Sequence, residues 1–296
     1  MRACLHSTPD RVTSPPMRVN IGDTRLFFDV EGAKLRPDGA AMREVPTVVL
    51  LHGGPGFDHS TFKPDFSRLA EIAQVVYLDH RGNGRSDRGD PAKWNLPQWG
   101  DDVRAFCQAL EIERPIVLGI SFGGMVAMSY ATRHPDHPGK LVLSSTAART
   151  RQDRSLEMFE RLGGAEVREA ARRFFENPGP ETMPDYVKKC FPLYNRIPMG
   201  PEFMQRTVMN FELVVDFFKN ESHTFNFLPE LNRIKCPTLV AACELDPITP
   251  LDDSRDIAAA MAPGVARLEV FENAGHGAHR DQPDRFFKIL NEFILA

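Results

Sequence analysis

From Pro115 to Thr132 the chain reads PIVLGISFGGMVAMSYAT, an uncharged run that passes through a Gly-x-Ser-x-Gly turn. Its first part, Ile116 to Ile120, has no polar side chain, so a strand formed there must be covered on both faces. That requirement is met by a parallel sheet with helices on each side. The small residues after Ser121 then suit a helix packed closely on the strand it follows.

The same alternation recurs along the chain. Strand-like runs TRLFFDV, TVVLLHG, QVVYLDHRG, PIVLGIS and KLVLSST are separated by the helix-like runs FSRLAEIA, WGDDVRAFCQALEI and FGGMVAMSYATRHP. The segment EGAKLRPDGAAMREVP reads as a loop. Alternation of this kind predicts an α/β, doubly wound, mostly parallel sheet. Right-handed crossovers then gather the functional loops at the carboxyl ends of the strands. From about Ala148 to Asn232 strand-like runs stop, and helical segments rich in Arg, Glu, Phe and Met follow one another. Alternation returns with CPTLVAAC, DDSRDIAAAMA, ARLEVFENA and a closing amphipathic PDRFFKILNEFIL. The expected organisation is a core of residues 17–147 and 233–296, an inserted helical cap over 148–232, and a disordered leader over 1–16.

Bulk properties narrow the function. The formal net charge of −4 is small and the charges are mixed, which points away from nucleic-acid and membrane partners. No apolar run approaches the roughly 20 residues needed to span a bilayer. The five cysteines are scattered without a CxxC pair, so neither a disulfide framework nor a zinc site is expected, and a reducing cytoplasmic setting fits. The histidines show no ligand spacing, so no metal and no cofactor are expected. The sequence leaves the oligomeric state open.

Chemistry concentrates at three strand ends. Gly119-Ile120-Ser121-Phe122-Gly123 lies between a buried strand and a helix, where small flanking residues permit a sharp turn with the serine at its apex. A serine hydroxyl needs a base, and the base needs an orienting acid. Asp246, in AACELDPITP, and His276, in FENAGHGAHRDQP, each follow an apolar strand, and the order Ser, acid, His suits this architecture. Glu244 and His279 are the rivals for those two roles. Glu244 lies one pleat back from the loop, and His279 lacks the preceding glycine turn, so Asp246 and His276 are preferred. An oxyanion formed by attack on a carbonyl needs backbone donors. The amide of Phe122 is one, and HGGPG supplies the amide of Gly54, in a loop whose glycines let main chain approach a substrate.

On these motifs the chain resembles α/β-hydrolase-fold serine hydrolases from about Met17 onward. HGGPG and Asp79-His80-Arg81-Gly82-Asn83-Gly84-Arg85-Ser86 resemble the prolyl aminopeptidase (proline iminopeptidase) group and related esterases. The resemblance implies that the second motif is a structural loop, with Arg81 in a structural role. Phe122 stands where those peptidases usually carry Trp, and His80 where they usually carry Gln. The resemblance also implies an acidic cap residue to hold a substrate's free amino terminus, for which Glu212 is the candidate. Phe174, Phe175, Phe191, Phe211, Phe217 and Phe218, with Met204 and Met209, are candidates for an apolar pocket roof, or for holding the cap together.

The expected activity is cofactor-independent hydrolysis of a small carboxylic ester or amide by Ser121, His276 and Asp246. Release of N-terminal proline stays open beside it. So do cofactor-free perhydrolysis or C–C cleavage on the same fold, and a small-molecule receptor with negligible turnover.

Overall fold

The computed structural model describes residues 17–296, so the expected leader over 1–16 lies outside the described residues. Eight strands form the central sheet: β1 (Arg18–Asn20), β2 (Arg25–Glu31), β5 (Thr47–Leu51), β6 (Gln74–Leu78), β7 (Ile116–Ile120), β8 (Lys140–Ser144), β9 (Thr238–Cys243) and β10 (Ala266–Phe271). Their order is β1-β2-β6-β5-β7-β8-β9-β10. β1 and β2 run antiparallel at one edge, and all strands from β6 to β10 pair in parallel.

Two differences from the sequence reading are local. Residues 31–46 are not wholly loop: β3 (Leu35–Asp38) and β4 (Ala41–Glu44) form a separate hairpin closed by Gly39 at φ +60°. The run FSRLAEIA falls in a 3-10 helix, Asp65–Glu71, rather than an α-helix.

Period-two alternation divides the interior into two layers. Val49 and Leu51 face one core with Val117, Leu141, Leu143 and Val240, covered by α1 (Leu96–Ala109) and α2 (Phe122–Arg133). Val48 and Leu50 face the other with Leu118, Val142 and Leu239, covered by the 3-10 segment and α10 (Pro283–Leu295). Every residue of β5, β7 and β9 is buried, as the unbroken apolar runs require. Each fully buried Val or Leu contributes about 1.5–3 kcal/mol relative to exposure.

Between the neighbouring strands β8 and β9 the chain makes a long helical excursion: α3 (Gln152–Gly163), α4 (Ala165–Glu176), α5 (Met183–Lys189), α6 (Pro201–Arg206) and α7 (Phe211–Asp216). Its two ends are stitched together. The Phe227 amide donates to Ala148 O at 2.8 Å, and Arg149 pairs with Asn226 in an antiparallel bridge. The excursion has its own core around Phe159, Phe174 and Tyr186. α8 (Leu251–Ala260) follows β9, and α9 (Ala278–Asp281) follows β10. Among the described residues no helix is long and apolar enough to cross a membrane.

Strand order fixes where a site can form. From β5 the chain moves to β6 on one side and then crosses to β7 on the other, so the carboxyl ends of β5 and β7 flank a topological switch point. Such crevices are where open α/β sheets bind ligands.

Candidate active site

Ser121 leaves β7 with φ 55° and ψ −120°, a left-handed backbone that a serine adopts only under constraint. Packing supplies the constraint. A Cβ on Gly123 would lie 1.9 Å from Leu51 O, and one on Gly124 would lie 2.5 Å from Thr146 Cβ. The serine's own main chain is pinned as well, since its amide donates to Ser144 O at 3.0 Å and its carbonyl accepts from Thr146 Oγ1 at 2.7 Å. Its side chain stands at the head of α2.

Asp246, in the loop after β9, is fully buried. Its Oδ1 accepts from the amides of Ile248 (2.8 Å) and Thr249 (3.0 Å), and its Oδ2 from Thr249 Oγ1 (3.0 Å). His276 Nδ1 lies 2.8 Å from Oδ2 and 2.9 Å from Oδ1. The His276 loop is tied from two sides: its amide donates to Tyr194 O at 2.5 Å, and the Gly275 amide donates to Asp281 Oδ2 at 2.7 Å. Gly275 is required here, because a Cβ would lie 2.2 Å from Tyr194 O. Neither rival joins this pair. Glu244 accepts from the Asn273 amide at 3.0 Å. His279 is buried against Phe66 and Phe286 without a hydrogen-bond partner, and burial holds its imidazole well below the usual histidine range.

Ser121 and His276 line the same cavity of about 280 Å³, but Ser121 Oγ and His276 make no hydrogen bond to each other. A contact of that kind is often long without substrate and tightens on binding. Gly54 and Phe122 also line the cavity. Neither amide donates to another described residue. The Phe122 ring is buried edge-on to Trp99 and Phe217, which leaves its amide at the turn.

The segment after β6 is a brace. Arg81 is buried and bonds both oxygens of Asp102 at 2.7 Å and both of Asp23 at 2.9 and 3.0 Å. Asp79 accepts from the amides of His59 and Arg85, each at 2.8 Å. Asp58, His59 and Asp79 form the only group among the described residues with ligand atoms close enough to hold a metal ion. Their atoms are already engaged: His59 Nδ1 with Asp79, and Asp58 with Ser60 and Arg85.

The cavity roof comes from the helical excursion and is mostly apolar. Of the predicted roof residues, Phe174, Phe175, Phe191, Phe217, Phe218, Met204 and Met209 line it. Phe211 does not: it opens α7 and is exposed. Glu212 beside it is also exposed and off the cavity wall, so the structure does not bring it to the site. Three polar features were missed. Tyr186 and Tyr194 share a 2.6 Å hydroxyl–hydroxyl bond, and Asp253 and Arg280 lie on the wall. Asp253 Oδ1 is 2.6 Å from Arg154, and burial still pushes its carboxyl up to about 6. No local pattern marks these residues, because each depends on contacts between distant segments.

Residues 46–283 match the family model described as alpha/beta hydrolase fold. A proline iminopeptidase of Pestalotiopsis fici is 28% identical over 291 residues, covering 90% of this chain and 98% of that protein. An enol-lactonase structure from Burkholderia xenovorans superposes with a TM-score of 0.71 at 21% identity, covering 95% of this chain and 100% of the other. A proline iminopeptidase structure from Mycobacterium smegmatis gives 0.71 at 24%, covering 95% and 97%. Equal scores for a lactonase and a peptidase describe the fold, and substrate must be argued from the site.

Proposed function

The chain belongs to the alpha/beta hydrolase fold family and is a hydrolase, and we propose that it cleaves small carboxylic esters or amides through an acyl-enzyme on Ser121. Ser121 Oγ attacks the carbonyl carbon while His276 Nε2 takes its proton. Asp246 holds Nδ1, which keeps the free electron pair on Nε2 and stabilises the imidazolium that forms. The carbonyl oxygen becomes an oxyanion that accepts from the amides of Gly54 and Phe122. Collapse expels the alkoxide or amine, which leaves with the proton from Nε2. Water, deprotonated by His276, attacks the acyl carbon, and the second tetrahedral species releases the acid and returns the proton to Ser121. The helical excursion serves as the cap, and its phenylalanines exclude water from the reacting bond.

The observation that carries this reading is the Asp246–His276 bond, 2.8 Å long between loops after β9 and β10, which ties a buried carboxylate to a histidine on the wall that Ser121 shares. Purified protein should hydrolyse p-nitrophenyl butyrate, and Ser121→Ala should lose about 10⁴-fold or more in kcat with the fold intact. Undiminished turnover in that variant would refute the role of Ser121.

A second reading, release of N-terminal proline, is favoured by the relatives' names. That reaction needs an unpaired carboxylate for the substrate ammonium. Asp253, the wall's one carboxylate outside the Ser121–His276–Asp246 set, is bonded to Arg154, and Glu212 is off the wall. The charge of the site therefore supports the ester or neutral amide. Proline p-nitroanilide turned over faster than p-nitrophenyl butyrate would reverse that order.

A further inference from the structure

One guanidinium on the cavity wall has no task in this mechanism. Arg280 sits on α9, four residues after His276. Its Nη2 donates to Thr61 O at 3.0 Å, and its guanidinium lies 4.9 Å from the centroid of the Phe203 ring. It has no ion-paired carboxylate among the described residues. Neither nearby acid makes an ion pair with it: Asp281 accepts from the amides of Gly275, Arg196 and Ile197, and Asp65 lines a second opening together with Arg280 and Arg206 without an ion pair to either. Arg206, bonded to the Lys63 carbonyl, adds a second cation 5.9 Å from the same Phe203 ring.

Polar capacity next to it is unused. A Cβ on Gly277 would lie 2.7 Å from Asn195 Oδ1, 3.2 Å from His279 Cε1 and 3.6 Å from Arg280 Nη1. Asn195 Oδ1 and both ring nitrogens of His279 are buried with no partner. A partly buried cation without a paired carboxylate is costly, and desolvation holds its pKa below the usual arginine range. A ligand that brings the missing negative charge removes that cost. The planar fork of an arginine matches the two oxygens of a carboxylate.

We propose that Arg280 anchors a carboxylate on the non-reacting end of the substrate, so that the preferred substrates are esters, lactones or amides carrying a second carboxyl group. This inference rests on the reading of the Ser121–His276 cavity as the reaction site. On the wall of this apolar chamber Arg280 is the one arginine without an ion pair, while Arg206 lines only the second opening, and one fork suits a carboxylate better than a phosphate, which demands more donors.

Calorimetric titration tests it without requiring turnover. Succinate, glutarate and adipate are compared with butyrate, which lacks the second carboxylate. At least one diacid should bind tenfold or more tighter than butyrate. That margin should vanish in Arg280→Gln and be partly kept in Arg280→Lys. Diacids no tighter than butyrate in the unmodified protein would overturn the proposal, whatever the variants do, and so would a margin that survives Arg280→Gln. Loss of the hydrolase reading shows separately, as absent p-nitrophenyl butyrate turnover, while the titration still decides the anion site.

Discussion

Gly119 and Gly123 face each other across the turn that carries Ser121, so closely that a Cβ on Gly119 would lie 2.2 Å from the Gly123 carbonyl oxygen. The obstacle is backbone and cannot swing aside. The same holds for Gly123 against Leu51 O, at 1.9 Å. Gly123→Ala should therefore lose about 3 kcal/mol or more, the upper range for overpacking, or fail to fold. Gly179→Ala, with nothing within 4 Å of its Cβ, should stay within about 0.5 kcal/mol. Urea midpoints compare the two, and equal midpoints would mean the turn has slack.

Asp246→Asn probes orientation rather than charge alone. The asparagine Oδ1 can keep the amides of Ile248 and Thr249, which leaves its NH₂ facing His276 Nδ1. Nδ1 must then accept, the proton moves to Nε2, and Nε2 can no longer take one from Ser121. In a serine protease this change costs about 10⁴-fold in kcat. A similar loss on p-nitrophenyl butyrate, with the urea midpoint little changed, is expected here. A loss below tenfold would remove Asp246 from the mechanism.

What the sequence made legible was local. The Gly-x-Ser-x-Gly turn needs only its own strand and helix, and the loops after β9 and β10 announce themselves as breaks after apolar runs. The β3–β4 hairpin was hidden because its strands are largely exposed and do not alternate, although Asp38-Gly39 is a hairpin signal. Glu212 and Phe211 went astray because helix pattern alone does not say which face of α7 meets the cavity. Arg280 was invisible for a deeper reason: whether a guanidinium finds a carboxylate is decided by segments far apart in the chain, here Thr61, Asn195 and Phe203.

Thiol chemistry should report burial directly. Cys107, Cys190, Cys236 and Cys243 are buried and unpaired, and burial pushes their thiols up to about 11 or 12. A thiolate is the reactive form, so at pH 8 these four should resist Ellman's reagent in the native protein. Of the five cysteines in the chain, at most one should titrate before urea is added and all five after. Two or more fast thiols in the native state would place an opening in the core.

Acid should destabilise this protein well above the usual carboxylate range. His52, His80 and His279 are buried, and desolvation holds all three imidazoles below the ordinary 6.5. The hydrogen bonds agree for His52: its Nε2 accepts from the His80 amide, and its Nδ1 faces Gly53 O, the pattern of a neutral ring. Below pH 6.5 the unfolded chain binds protons at these positions and the folded chain does not, so stability falls as pH falls. Asp253 works in the opposite sense: with its carboxyl raised from 3.8 to about 6, the folded state keeps a proton that the unfolded state has lost between those values. The buried imidazoles outnumber the one raised carboxyl, so the net dependence between pH 6 and 5 is loss of stability toward acid. Urea unfolding at pH 7.5, 6 and 5 measures it. His80→Gln should make the slope shallower, and stability that holds level or rises from pH 7.5 to 5 would show that these imidazoles are charged in the folded protein.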